Sequence, residues 1–350
     1  MAVPIVWNRW TFEPSVVIPI LLALAVYAVG VFRRRAATNM LQIWRHVSFA
    51  AGIGTVYASL GSPLDGLAQH LFWADQIQDL MLRMVGPMLI ALSMPGAILI
   101  AAMPSVRRRG VRAPSAGNRA LGLLCTVSTN AWVVTALFIA SLFVWQYPAL
   151  HDAAILDSRV RYLMSVTMLA AGLLFWRRIF DMRSALAELG YGTQVIMLGV
   201  TALAQIGLGG YLALQGTALY PAYDVVGRLF GINALTDQVT GAFIIWVPSV
   251  VMLLISAIII IHVWGKQEER AWAARPTWTA SNSEAMRYPT TGAALIEMAR
   301  PKNRKLAISV VGVVFAVFAM TMVTGVLYHL NSVEHDAAGS IYAGQGLSIH

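Results

Sequence analysis

The chain has 350 residues, of which 58% are hydrophobic and 12% charged, with a mean hydropathy of +0.67. That balance excludes a soluble one- or two-domain protein and predicts an integral membrane protein. The formal net charge of +9 does not indicate nucleic-acid binding, because the basic residues gather in alternate loops rather than along one face, and the lone Cys125 excludes an internal disulfide framework and any C-x-x-C motif.

The first apolar run, 16–32, follows only Arg9 and Glu13 and precedes Arg33, Arg34 and Arg35. A secretory signal has the opposite charge order, so this segment reads as a retained helix with its N-terminus outside. Further spans are predicted at 46–61, 77–103, 129–147, 162–176, 193–215, 240–264 and 306–328, each close to the length a bilayer needs. The predicted fold is therefore all-α, a polytopic transmembrane bundle of about eight spans. Arginine-rich connections after the first, third and fifth spans and before the last alternate with connections carrying Asp65, Asp152, Asp157, Asp224 and Asp237. The positive-inside rule then places both termini outside.

Pro87 and Pro95 interrupt the third span and Pro248 the seventh, predicting kinks or local unwinding. Gly207, Gly209 and Gly210 read as a packing surface. The organisation expected is a seven-helix domain over 1–265, a cytoplasmic linker over 266–305, an added transmembrane helix over 306–328 and an outer tail over 329–350.

Candidate chemistry centres on the stretch from Ser62 to Pro95. Asp75, Asp79 and Arg83 stand at i, i+4 and i+8 and project from one helix face. Arg83 falls roughly 10 Å below the helix entrance, where a lone charge costs several kcal/mol, so Asp79 is its expected partner. Such a pair either fixes helix register or marks a functional face. Met81, Met84 and Met88 repeat below it, a stripe that suits core packing as well as soft-metal binding. His70, His151, His329 and His335 match no metal-ligand spacing and read as solvated loop histidines. No Ser/His/Asp or Cys/His set is legible, and the reading is of a protein that is not an enzyme.

The segment SPLDGLAQHLFWADQIQDLMLRMVGPMLI resembles the signature of the CtaG-type cytochrome c oxidase assembly factors. Two further stretches continue the resemblance: AGLLFWRR at 171–178, and YDVVGRLFGINALTDQVTGAFIIWVP, which contains Asp237, Gln238, Gly241, Trp246 and Pro248 in the family's D-Q-x-x-G-x-x-x-W-x-P pattern. The resemblance covers roughly residues 45–265. It implies a multi-pass protein of the bacterial inner membrane that supports assembly of a haem-copper oxidase, with oxidase subunits as partners and copper as cargo on the outer side. The chain departs from the pattern where the family has H-M-x-Q-H, reading Asp75, Gln76, Gln78 and Asp79, and where it has E-H, reading Met164 and Ser165. Carboxylates are poor Cu(I) ligands, and the soft or imidazole donors left nearby are His70, Met81 and Met84. Met81 and Asp79 point roughly 200° apart on a helix, so these three are not expected to converge. Two roles follow from the resemblance: an assembly factor with a degenerate copper site, or a stoichiometric accessory subunit of a respiratory complex. A small-solute or proton pathway along Asp75, Asp79 and Arg83 is the third.

Overall fold

The computed structural model describes Trp10 and residues 12–34, 40–102, 130–180, 190–273 and 312. Cys125, His329, His335, the connections 103–129, 181–189 and 274–305 and the expected span 306–328 lie outside the described residues, save Gly312. The chain divides into two compact units, Met1–Ile260 and Ile261–His350, and the architecture below is that of the first.

Every regular element among the described residues is helical. Helix α1 is Pro14–Arg34 and α2 is Met40–Gly61. Ser62 then caps α3, Pro63–Ala68, its hydroxyl accepting from the Leu64 amide, with Pro63 in the first turn where no amide donor is missed. The third expected span is broken into pieces: α4, Phe72–Leu80; a π-helical turn, Met81–Val85; α5, Gly86–Leu92; and α6, Gly96–Ala102. Between α5 and α6 Met94 takes a left-handed conformation, φ +49°, just before Pro95, which accounts for the break expected there.

The π-turn has a sequence cause. Pro87 has no amide to offer the Arg83 carbonyl four residues back, and the Gly86 amide instead reaches five residues to the Met81 carbonyl. The freed Arg83 carbonyl lies against Gly172, where an added Cβ would come within 2.4 Å of that oxygen.

Helices α7, Ala131–Trp145, and α8, Pro148–Leu156, bend by 71° at the break between them. There follow α9, Ser158–Phe180; α10, Tyr191–Ala213; the short α11, Ala222–Val226; and α12, Ala234–Ala273. Among the described residues α1, α9, α10 and α12 are each long and apolar enough to cross a membrane, with the α7–α8 pair a fifth candidate. Helix α12 runs through Pro248 without interruption, so the unwinding expected there does not occur. Of the glycine trio only Gly209 is a close contact, its Cβ position 2.1 Å from the Trp246 ring; an added Cβ at Gly207 or Gly210 meets nothing within 4 Å.

The main core joins the π-turn, α7, α9, α10 and α12 through Met84, Phe138, Phe175, Trp176, Met197 and Leu253. A second cluster joins α4, α7, α10 and α12 with the segment 219–223 through Phe72, Leu142, Leu212, Tyr220, Tyr223 and Ile245. Met84 of the π-turn and Phe72 of α4 are thereby fixed in the core, and Asp75 and Asp79 on the same segment are buried.

Candidate functional site

Asp75 sits in the first turn of α4 and is only 2% exposed. A buried carboxylate needs a counter-charge and hydrogen bonds, and both arrive from distant helices. Arg161 in the first turn of α9 places Nη1 3.4 Å from Asp75 Oδ1 and Nη2 3.3 Å from Asp65 Oδ1, and donates from Nη2 to Gln78 Oε1 at 2.6 Å. Gln78 donates in turn to Asp65 Oδ1 and to the Ser59 carbonyl, each at 2.9 Å. The planar guanidinium thus lies among three oxygen acceptors supplied by α3 and α4, the arrangement its fork of donors suits.

On the other side of Asp75 stands His151 from α8, fully buried, with Nε2 3.7 Å from Asp75 Oδ2. The expectation that it is a solvated loop histidine is corrected: the 71° bend after Trp145 turns α8 back over the bundle and carries the ring inside. Its Nδ1 donates to the Trp145 carbonyl at 3.1 Å, since a carbonyl only accepts, leaving Nε2 to accept from the Tyr223 hydroxyl at 2.9 Å. Burial, with the Asp75 charge added, pushes the Tyr223 and Tyr220 hydroxyls above the usual tyrosine range, so both remain donors at neutral pH. Tyr220 donates to the Gln146 carbonyl at 2.9 Å, and Gln146 donates to Gln76 Oε1 at 2.8 Å beside Asp75.

The expected pair of Asp79 and Arg83 does not form. Asp79 Oδ2 and Arg83 Nε and Nη1 are buried without a hydrogen-bond partner, and Arg83 stacks its guanidinium carbon 5.5 Å from the Phe138 ring centre. The reason is local: the π-turn begins directly after Leu80 and replaces the four-residue spacing that would bring the two together. In a double-mutant cycle of Asp79→Asn and Arg83→Gln, thermal melting should show a coupling smaller than that of the matching cycle at Asp75 and Arg161.

The second family stretch works as the mount of α4. Asp237, in the first turn of α12 and fully buried, accepts from the Phe72 and Trp73 amides at 3.0 Å each, and Arg228 pairs with the same carboxylate. Leu71, the cap position of α4, offers no side-chain acceptor, so Asp237 caps this helix from far along the chain. Gln238 accepts from the Leu219 amide at 2.7 Å and donates to the Leu212 carbonyl at 3.1 Å, tying the connection after α10 to the end of that helix. Trp246 fills the place left by Gly209. Gly241 faces Phe72, whose Cδ1 would lie 2.3 Å from an added Cβ. Because Phe72 is fixed in an aromatic cluster with His151, Tyr220 and Tyr223, Gly241→Ala should destabilise by about 1–3 kcal/mol, measured as a lowered melting temperature in detergent.

The soft-donor candidates are used elsewhere. His70 Nδ1 donates to the Gly227 carbonyl at 2.9 Å, and Met84 Sδ accepts from Gln205 Nε2 at 3.9 Å within the main core. Met81 opens the π-turn and is half-buried. What surrounds Asp75 is carboxylate, amide, phenol, guanidinium and an imidazole with both nitrogens engaged, a donor set that does not fit Cu(I). No sequence motif singles out Arg161, and the loop position of His151 gives no sign of its burial. Arg161 stands one turn before Ser165, on the helix already aligned with the site, and that spacing was the available signal.

The fold and site define a helical membrane protein with a buried, charge-paired polar cluster under one end of its bundle. The chain belongs to the family of cytochrome c oxidase caa3 assembly factors, whose model matches residues 25–267. No curated protein and no solved structure matches it.

Proposed function

We propose that this chain supports assembly of a haem-copper terminal oxidase in the bacterial inner membrane by contact with oxidase subunits, with no copper bound at its outer site. The observation that carries the reading is the Arg161 guanidinium seated among Asp65, Asp75 and Gln78, a tethered cation beside the position where related sequences carry histidine. A resident positive charge disfavours a second cation, and the oxygen donors disfavour Cu(I) in particular. Deleting the gene should lower assembled oxidase, measured by its haem spectrum in membranes. The purified chain should contain copper well below one equivalent. Stoichiometric copper that is lost in Asp75→Ala would overturn the copper-free reading.

The same substitution of donors also suits a permanent accessory subunit of a respiratory complex that keeps the scaffold without metal traffic. Copurification separates the two, an assembly factor being substoichiometric and a subunit stoichiometric. The topology proposed with this function is eight spans with both termini outside, from the alternation of arginine-rich connections. A reporter fused after His350 should be active only on the outer side; activity only in the cytoplasm would refute it.

A further inference from the structure

Away from the Asp75 cluster, α1 and α9 flank a cavity of about 240 Å³ floored by α2 and α5. Its walls run from Ser15 to Ala23 on α1 and from Tyr162 to Leu173 on α9, with Val56 and Ile90 beneath. At 1.5 Å per residue these walls are ~12 and ~17 Å long, against ~15 Å for half of a bilayer's hydrocarbon core. The groove is therefore one leaflet deep, where a spanning helix would need a seam about twice as long. Its polarity is graded: Ser15, Tyr162 and Ser165 stand toward one end, and the deeper lining is apolar. Beyond the lining, an exposed charge precedes each wall in the sequence, and the two are opposite in sign. Just before α1, exposed Glu13 lies two residues before Ser15 and accepts from its hydroxyl at 3.4 Å. On α9, exposed Arg159 lies one turn before Tyr162 and forms no ion pair among the described residues.

We propose that this groove is a site for one phosphatidylethanolamine molecule, with an acyl chain between α1 and α9, its phosphate on Arg159 and its ammonium on Glu13. Depth selects an acyl chain over a helix, and one charge of each sign selects a zwitterionic head with N–H donors over an anionic or uncharged one. Placement in the outer leaflet rests on the proposed topology, whereas the lipid class does not. The test below reads lipid alone, so it stands or fails independently of oxidase assembly.

The full-length chain, purified in detergent, is offered phosphatidylethanolamine, phosphatidylglycerol or diacylglycerol of identical acyl chains, and bound lipid is counted by native mass spectrometry. One phosphatidylethanolamine per chain is expected, retained about fivefold better than phosphatidylglycerol, the upper end for one exposed ion pair. Glu13→Gln should equalise these two lipids, and Arg159→Gln should bring both toward diacylglycerol. Leu169→Trp, which fills the groove from α9, should abolish retention at an unchanged melting temperature; if that variant melts early, Ala23→Leu fills it from the opposite wall. Equal retention of all three lipids would reduce the groove to ordinary bilayer contact and overturn the proposal. Better retention of phosphatidylglycerol, or full retention in both filling variants, would overturn it as well.

Discussion

Arg161→Ala should be among the most destabilising single substitutions in this protein, by about 3–5 kcal/mol, because it removes the cation from a buried group of acceptors. Asp75 would be left nearly inaccessible to water with the neutral His151 ring as its nearest basic neighbour, and that ring already spends both nitrogens on Trp145 and Tyr223. Asp65 would lose the same partner, at smaller cost because its side chain is 23% exposed. Thermal melting in detergent reads the loss directly. Arg161→Lys should recover only part of it, since an ammonium restores the charge without the planar fork that reaches Asp75, Asp65 and Gln78 together. Adding Asp75→Asn to Arg161→Ala should restore stability relative to the single variant, the orphaned charge having been removed. If the two losses simply add, the ion pair is not what holds this end of the bundle.

The second large effect is expected at Asp237. Asp237→Ala uncaps α4, at about 1–2 kcal/mol for the two amides it leaves unpaired. It also takes from buried Arg228 its inner partner, leaving Asp224, 2.5 Å away on the exposed side. A total of about 2–4 kcal/mol follows from the cap and the weakened ion pair. Asp237→Asn should fall between, since one amide acceptor survives and the charge does not. The consequence extends to the site, because Asp75 lies in the same first turn of α4 that Asp237 holds. Fraying there would draw the carboxylate away from Arg161. The double variant Asp237→Ala, Arg161→Ala should therefore cost less than the sum of the singles. Strict additivity would mean that the cap and the charge cluster act independently.

Apolar runs of spanning length were enough to place α1, α9, α10 and α12, because a bilayer demands internally satisfied backbone over about 20 residues whatever the packing. The interruption of the third span was legible too, since Pro87 and Pro95 remove amides irrespective of their neighbours. Asp75 and Asp237 stood out in the sequence as well, the first by its helical spacing with Asp79 and Arg83 and the second through the family resemblance, and both are buried. The partners of these residues were not legible. Arg161 meets Asp75 across 86 positions, and the Phe72 and Trp73 amides meet Asp237 across 165 and 164; helical periodicity relates only residues within a turn or two. His151 is moved from solvent to core by the bend between α7 and α8; Pro148 marks the break locally, but its 71° direction is not encoded by any local pattern. The one partner that spacing did propose, Asp79 for Arg83, fails because Pro87 shifts the hydrogen bonding of the preceding turn to five residues, and a four-residue rule no longer describes which side chains meet. By itself the sequence determined the long apolar helices and marked Asp75, Asp79 and Arg83 as charges that had to face the interior, through local hydrogen bonding and transfer free energy. Only the tertiary structure decided which charges meet, because the neutralising groups sit on other helices and their approach depends on how α8 and α9 pack over α4.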